Sequence, residues 1–354
     1  MVQVEAIEAF RWQAQACADL GSPMYGALLA RVADELARAD GAGSRLLNDI
    51  LRGHEHDSGP SALALRLAGA VHRQVLQGDA RDLEPFYPSV GGSWDLDPAW
   101  PHFLTALRRR GEPVRALLEQ APQTNEVGRA AALMGGLLHA TARYGLPVRL
   151  SEVGSSGGLN LRADHFRYLR ADGSGWGRPD SPVVLDPAWQ GAALPDAQPD
   201  IIERIGSDPA PVDVATAEGR MTLLSYVWPD QPARLARLRG ACEIAGRVPV
   251  QLDRTDAVTA VRNLELRAGT TTVLWHSVMW QYLSSADQQA AQARIDQLAR
   301  QADDDQPFVH LRLEPGRRAA EADREFLVVL EDWPAGGHRT LGTAAPHGVP
   351  VTWQ

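Results

Sequence analysis

The segment from Val148 to Leu161 holds the residues whose types and spacing best suit ligand binding. An apolar run typical of a buried strand ends in the acidic Glu152, and a turn of glycine and serine follows directly. Small residues let a nucleotide-like group approach the backbone, whereas the carboxylate suits a cationic or hydroxyl-bearing group better than a phosphate. The pattern therefore favours S-adenosylmethionine over ATP. The predicted cofactor site includes Glu152, Gly154, Ser156, Gly158 and Asn160.

A histidine ends a later apolar run, Thr271 to His276. Open α/β sheets bind ligands at the carboxyl ends of their strands, and a histidine there can act as a general base near neutral pH. We predict that His276 is catalytic and that Ser277 and Tyr282 support it. A core histidine with satisfied hydrogen bonds is the alternative interpretation.

Polar residues also cluster before a long apolar helix that is predicted over Val127 to Tyr144. We expect the residues of this cluster to line one side of the substrate site. A helix cap with an ion pair between Glu126 and Arg129 is the alternative. The predicted substrate-binding residues are Tyr87, Thr124, Asn125, Glu126 and Arg129.

Composition excludes several kinds of chemistry. The sequence contains no lysine, and all 35 basic residues are arginine. A lysine Schiff base with pyridoxal phosphate and the lysine of a phosphate-binding loop are therefore excluded. The run His54 to Asp57 does not predict a metal site, because a two-residue histidine spacing puts both rings on one side only in a strand. We expect neither a metal nor pyridoxal phosphate.

The charge and the apolar pattern limit the partners. The formal net charge is −9, which argues against a nucleic-acid partner. No apolar run approaches the roughly 18 residues that span a bilayer, and Met1 to Glu5 lack the features of a secretory leader. Cys17 and Cys242 are expected to be buried thiols. We expect a cytoplasmic protein that binds a small molecule and neither nucleic acid nor a membrane; a protein partner or a homo-oligomer stays open.

The character of the sequence changes near residue 145. Residues 1–145 place apolar residues three and four apart, which predicts a helical domain. In residues 146–354, short apolar runs alternate with helix-like segments, which predicts an α/β domain with a mostly parallel sheet. The turn-rich stretch 164–200 is interpreted as an inserted hairpin or lid over the site. The predicted strands are Val148–Val153, Ile201–Gly206, Val248–Leu252, Thr271–His276, Phe308–Leu313, Phe326–Leu330 and Val349–Trp353.

Several motifs resemble those of the DUF2332 family of bacterial proteins, in the same order and over nearly the whole chain. The motifs lie at Ser22–Tyr25, Gln123–Arg129, Leu150–Leu161, Asp164–Tyr168, Arg204–Asp208, Pro211–Val214, Val227–Gln231, Trp275–Leu283, Leu313–Pro315 and His347–Gly348. There are two departures. The run Asp208 to Pro211 replaces an expected Asp-Leu-Asn-Pro, and Ser155 to Gly158 replace an expected Ala-Ser-Ala-Gly.

The half from residue 146 onward is also similar, more distantly, to class I S-adenosylmethionine-dependent methyltransferases. This resemblance implies a Rossmann-like, mostly parallel sheet of seven strands with the last one antiparallel. It places Asp208 on the ribose hydroxyls and Asp256 near the adenine amine. Ser156 stands where that fold usually has its middle glycine. A turn aspartate is the alternative interpretation of Asp208, for which a functional role is favoured, and a helix N-cap is the alternative interpretation of Asp256.

Methyl transfer from S-adenosylmethionine to a small molecule is the leading functional hypothesis. The protein would chiefly align the reacting groups, and His276 would remove a proton. Two alternatives apply if the cofactor has been lost. One is elimination or ring closure in a natural-product pathway with a partner subunit, and the other is a non-catalytic binding or scaffold subunit. Fold alone cannot separate them, because function resides in the site.

Overall fold

The computed structural model describes residues 4–38, 40–57, 62–318 and 321–354; Met1 to Gln3, on which the expected absence of a leader partly rests, lie outside these ranges. The chain forms two compact units. Met1–Thr124 with Ala217–Ala236 form what we call the helical unit, and Asn125–Thr216 with Arg237–Gln354 form the sheet unit. No helix within the described ranges is long and apolar enough to cross a membrane.

The elements are numbered along the chain. The helices are α1 (Val4–Asp19), α2 (Pro23–Ala37), α3 (Ala42–Ile50), α4 (Leu63–Leu76), α5 (Leu96–Arg109), α6 (Gly111–Leu118), α7 (Ala130–Tyr144), α8 (Ala217–Ser225), α9 (Pro232–Ala245), α10 (Ala257–Arg262) and α11 (Ser285–Gln301). The strands are β1 (Val148–Val153), β2 (Arg167–Arg170), β3 (Gly175–Gly177), β4 (Val184–Gly191), β5 (Ile201–Asp208), β6 (Gln251–Arg254), β7 (Thr271–Ser277), β8 (Phe308–Gly316), β9 (Glu325–Trp333), β10 (Gly337–Ala344) and β11 (Val351–Trp353).

The helical unit combines apolar packing with a buried helix cap. Its core includes Phe10 of α1 and Leu28 of α2, both fully buried. Ser22 caps α2, because its hydroxyl oxygen accepts a hydrogen bond from the backbone N–H of Tyr25 (3.2 Å). The same hydroxyl donates to Asp230 (2.7 Å). Asp230 thereby ties the returning segment of this unit to the start of α2.

The sheet unit contains one mixed sheet of eleven strands in the order β3-β2-β4-β11-β10-β9-β8-β7-β1-β5-β6. The five neighbours β8, β7, β1, β5 and β6 run parallel to one another. When these five are numbered along the chain, their order across the sheet is 5-4-1-2-3. The strand order therefore reverses between β1 and β7. Open α/β sheets bind ligands outside the carboxyl ends of their strands at such a reversal.

The predicted α/β class with an N-terminal helical region is confirmed, but the predicted seven-stranded sheet is wrong. β10 was not predicted, and the stretch 164–200 forms β2, β3 and β4 at one end of the sheet. Aromatic burial explains this outcome. Trp189 of β4 stacks on Tyr168 of β2 (4.8 Å between ring centroids) and donates to the carbonyl of Ala131 in α7 (2.9 Å).

Helices cover both faces of the sheet. Gly136 of α7 packs against Leu311 of β8, whereas Ile295 of α11 is buried with Leu274 of β7. Leu274 lies opposite His310 in the β7–β8 register, so Leu274 and Leu311 point to opposite faces. α7, which the sequence analysis placed in the helical domain, belongs to the sheet unit.

Gly135 of α7 tests this packing, because a side chain there would overlap the indole of Trp353 in β11. We expect Gly135→Ala to lower the free energy of unfolding by about 1–3 kcal/mol in urea denaturation. Gly246→Ala is the control, since its added methyl group would meet its nearest neighbour at 3.4 Å, an ordinary contact. The control should change the free energy by less than about 0.5 kcal/mol. Equal effects of the two substitutions would contradict the packing.

Candidate functional site

Glu152 lies at the carboxyl end of β1, beside the strand reversal, and is buried (3 % exposed). The β1–β7 register sets it next to Trp275, whose indole N–H donates to Oε1 (3.2 Å). Oε2 is also buried and has no hydrogen-bond partner in the described part of the chain. Burial raises the pKa of Glu152 to about 8, although Trp275, Asn160 and Arg129 act to lower it. A buried carboxyl with one open oxygen suits a ligand that donates a hydrogen bond.

The glycine turn after β1 uses its backbone N–H groups inside the protein. Gly154 and Ser155 both donate to the carbonyl of Ser207 (2.9 and 3.0 Å), and Gly158 donates to the carbonyl of Ser155 (2.8 Å). A short 3₁₀ helix, Asn160–His165, follows in place of a full α-helix. These amides are therefore not available to a phosphate group, and no long helix dipole points at the turn.

Ser156 adopts the left-handed backbone conformation that glycine favours, with φ of +51°. Its N–H donates to Oδ2 of Asp208 (3.0 Å), while Oδ1 of Asp208 accepts from the N–H of Ala210 (2.8 Å). Asp208 thus holds the turn against the loop that follows β5. Both of its oxygens serve the backbone, and ribose binding by Asp208 stays a prediction.

Asp256 is the N-cap of α10. Its carboxylate accepts from the N–H and from the hydroxyl of Thr259 (2.8 Å each). These bonds lower the pKa of Asp256. The geometry is that of the N-cap interpretation, and a position near an adenine stays a prediction.

Asn125 and Glu126 meet the glycine turn. Oδ1 of Asn125 accepts from the N–H of Leu159 (3.0 Å), and the carbonyl of Glu126 accepts from the side-chain amide of Asn160 (3.2 Å). The carboxylate of Glu126 folds back and accepts from the N–H of Gly128 (3.1 Å). Two residues predicted for the substrate thus contact Asn160, which was predicted for the cofactor, and its neighbour Leu159.

Arg129 reaches the next strand, because its guanidinium donates to the carbonyl of Ser277 (3.2 Å) at the end of β7. Thr124 and Tyr87 belong to the helical unit. Tyr87 is buried there, and its ring stacks on His72 (5.8 Å between centroids). Substrate contacts of Thr124 and Tyr87 stay predictions.

His276 is buried on the sheet face opposite Glu152 and is 1 % exposed. Its Nδ1 lies 2.7 Å from Oε1 of Glu314, and its Nε2 lies 3.0 Å from Nε2 of His310. The ring also stacks on Trp280 (4.9 Å between centroids). Tyr282, predicted to support His276, is 72 % exposed. The partners of His276 are therefore ionisable groups of β8.

The loop after β7 carries unusual backbone geometry. Val278 has φ of +52°, a conformation that is rare for a β-branched residue. The loop turns its N–H groups onto Glu314, since Met279 and Trp280 donate to Oε1 at 3.1 and 3.3 Å. Oε2 of Glu314 is buried and has no partner among the described residues. Strain of this kind is found preferentially at functional sites.

His310 is not among the predicted site residues, and the sequence leaves Glu314 open between a site carboxylate and a hairpin residue. A signal was present, because His310, Arg312 and Glu314 alternate along one apolar strand and so share one face. Among the residues that the structure describes, no three histidine, cysteine, aspartate or glutamate side chains are placed to hold a metal ion.

A family model described as "Uncharacterized protein conserved in bacteria (DUF2332)" matches residues 7–353. This match confirms the family resemblance seen in the motifs. No curated protein and no solved structure matched the chain.

The raised pKa of Glu152 predicts a pH-dependent stability. The carboxyl ionises near its usual pKa of 4.5 when unfolded and near 8 when folded, so the folded state keeps a proton that the unfolded chain loses. The stabilisation is complete below the unfolded pKa and is lost as the pH rises through 8. Glu152→Gln cannot ionise and keeps an acceptor for Trp275. In urea denaturation it should exceed the parent by about 2–5 kcal/mol at pH 8.5 and match it more closely at pH 5.

The exposed Glu265 supplies the matched control for this comparison. Glu265→Gln should show no pH-dependent gain in stability. A constant difference between Glu152→Gln and the parent across this pH range would show that Glu152 does not hold a proton in the folded state.

Proposed function

The chain belongs to the DUF2332 family, and we propose that its sheet unit binds S-adenosylmethionine and methylates a small molecule. One observation carries the proposal: the buried carboxyl of Glu152, with one oxygen unpartnered in the described residues, lies where the strand order reverses. A parallel sheet binds its ligand at that place.

The donor and acceptor chemistry of the site fits this ligand. S-adenosylmethionine offers hydroxyl and ammonium donors and carries no phosphate. The open oxygen of Glu152 can accept from such a donor once the carboxyl gives up its proton, and Gly154, Ser155 and Gly158 have already bonded their amides internally. Bound S-adenosylmethionine would supply a methyl group on a sulfonium sulfur. A nucleoside triphosphate fits less well, since it needs free amides or cations.

The chain's own residues would then hold and orient the ligands. Glu152 would accept from a hydroxyl or ammonium group, while Asn125 and Asp208 keep the glycine turn in shape through its N–H groups. Arg129 would fix the end of β7 through the carbonyl of Ser277. The main contribution of the protein would be proximity and exclusion of water.

The strand order supports this proposal. The five parallel strands follow the order of Rossmann-like sheets. The outer strands differ, because β8, β9 and β10 follow one another as neighbours and β11 joins β10 to β4. The likeness to methyltransferases therefore concerns the strands around β1 and not the whole sheet.

A second candidate function is proton-transfer chemistry without methyl transfer, such as elimination or ring closure. It is favoured by the contacts of His276 with Glu314 and His310, which link three ionisable side chains near the end of β7. Titration with S-adenosylmethionine separates the two candidates, since only the first requires the cofactor.

Isothermal titration with S-adenosylmethionine and with its demethylated product tests the leading proposal. We expect both to bind the parent protein at pH 7.5. A ligand donor at Glu152 favours the ionised carboxyl, so binding should release protons. The measured binding enthalpy should therefore depend on the ionisation enthalpy of the buffer. Glu152→Gln should bind about 10–100-fold more weakly, as expected for a hydrogen bond to a charged group.

Glu321→Gln, on the exposed surface of the same unit, should bind like the parent. Absence of binding by both ligands would refute the proposal. Binding without any contribution of Glu152 would refute its assignment of the site.

A further inference from the structure

Five polar side chains form one hydrogen-bonded row across β8, β7, β9 and β10, which we call the histidine ladder: Glu314, His276, His310, Glu331 and His338. The row continues from His276 and His310 through Nδ1 of His310 to Oε2 of Glu331 (3.0 Å) and from Oε1 of Glu331 to Nδ1 of His338 (2.8 Å). His276 and His310 are each 1 % exposed. The ladder therefore crosses the interior and ends at His338 on the surface.

One end of the ladder is an acceptor. Oε1 of Glu314 accepts the backbone N–H groups of Met279 and Trp280. An oxygen that receives two N–H donors is best matched by a carboxylate. Nδ1 of His276, 2.7 Å from the same oxygen, must therefore be protonated and donate to it.

Glu331 is also an acceptor. Burial acts to raise the pKa of Glu331, but hydrogen bonds from His310, His338 and Arg312 outweigh it and hold the pKa well below its usual range. Arg312 contacts the same oxygen that faces His310. Nδ1 of His310 also lies 3.3 Å from the guanidinium of Arg312. Its shorter contact, at 3.0 Å, is with a carboxylate oxygen that has no proton to donate, so Nδ1 of His310 is the donor.

The contact between the two rings then needs one more proton. Nε2 of His276 and Nε2 of His310 lie 3.0 Å apart. Two unprotonated nitrogens would point their lone pairs at each other, so one of them must donate. We propose that the pair carries three protons on its four nitrogens, and that His276 is a fixed cation which keeps Glu314 ionised as the proton acceptor of the site.

Charge balance around the ladder supports this assignment. Glu314 and Glu331 carry two negative charges, which Arg312 and one imidazolium neutralise. The buried residues of α11, which contacts β8 and β9, are apolar: Ala291, Ile295 and Leu298. Burial also lowers the pKa of His310 to about 4, so the extra proton resides on His276.

The assignment moves the proton-accepting role from His276 to Glu314. An imidazolium has no free nitrogen lone pair, whereas Oε2 of Glu314 has no partner among the described residues. Oε2 would form the new O–H bond as an O–H or N–H bond of the substrate breaks, and the electron pair would stay on the substrate atom. His276 and His310 are positioning residues. The identity of that substrate atom rests on the proposed function; the proton count does not.

Long-range ¹H–¹⁵N correlation spectra of ¹⁵N-histidine-labelled protein count these protons directly. At pH 8, ordinary histidines are neutral and carry one ring proton. Of the ten histidines, we expect the His276 ring, assigned by the loss of its signals in His276→Gln, to be protonated on both nitrogens. His54, whose two ring nitrogens also face carboxylates, is assigned in the same way. A spectrum in which His276 carries a single ring proton would overturn the proposal.

Glu314→Leu adds a test, because it removes the carboxylate that faces Nδ1 of His276. His276 can then donate through Nε2 to His310, and two protons satisfy the pair. The doubly protonated ring should therefore disappear in Glu314→Leu and persist in His338→Gln, which alters only the exposed end. Its persistence in both variants would refute the link to Glu314.

The two proposals fail separately. If neither ligand binds but the doubly protonated ring is present, the proposed function is refuted and the proton count stands. Ligand binding with only singly protonated histidines would refute the histidine ladder proposal alone.

Discussion

The parallel pairing of β1 with β5 on one side and β7 on the other is the constraint on which the rest of the structure depends. Its register places Glu152 beside Trp275 and brings the ends of β1 and β7 together. Because side chains alternate along a strand, the same register turns His276 to the opposite face. Two sets of ionisable groups therefore flank one end of the sheet and are separated by the backbone.

The backbone around this end is fixed by bonds within the protein. The glycine turn donates to Ser207 and Asp208, and the loop after β7 donates to Glu314. Such bonds keep the turns rigid without a ligand and consume the amides that a phosphate would need. Among the described residues, the oxygens without a partner at this end include Oε2 of Glu152, Oγ of Ser155, Oδ1 of Asn160 and Oε2 of Glu314. Recognition at this site therefore rests on side-chain oxygens, in keeping with an acidic chain that has no lysine.

Much of the sheet could be predicted, because buried parallel strands are continuous apolar runs. β1 has the predicted bounds, whereas β10 was missed, since its sequence Gly337–Ala344 is rich in polar residues and glycine. The histidine ladder could not be predicted, since it joins residues from four strands whose pairing no local pattern specifies.

The two carboxyl groups at this end of the sheet are held in opposite protonation states by different means. Burial of Glu152 outweighs the indole N–H of Trp275, the side chain of Asn160 and the charge of Arg129, so the protonated form is favoured at neutral pH. Glu314 receives two backbone N–H groups and faces His276, which the proton count makes a cation. Titratable groups whose surroundings favour opposite protonation states in this way are the usual acid and base of an active site. A ligand donor at Glu152 would pull that carboxyl towards ionisation, whereas Glu314 is ionised beforehand. Glu152 is therefore the binding group, and Glu314 is the group prepared to take a proton.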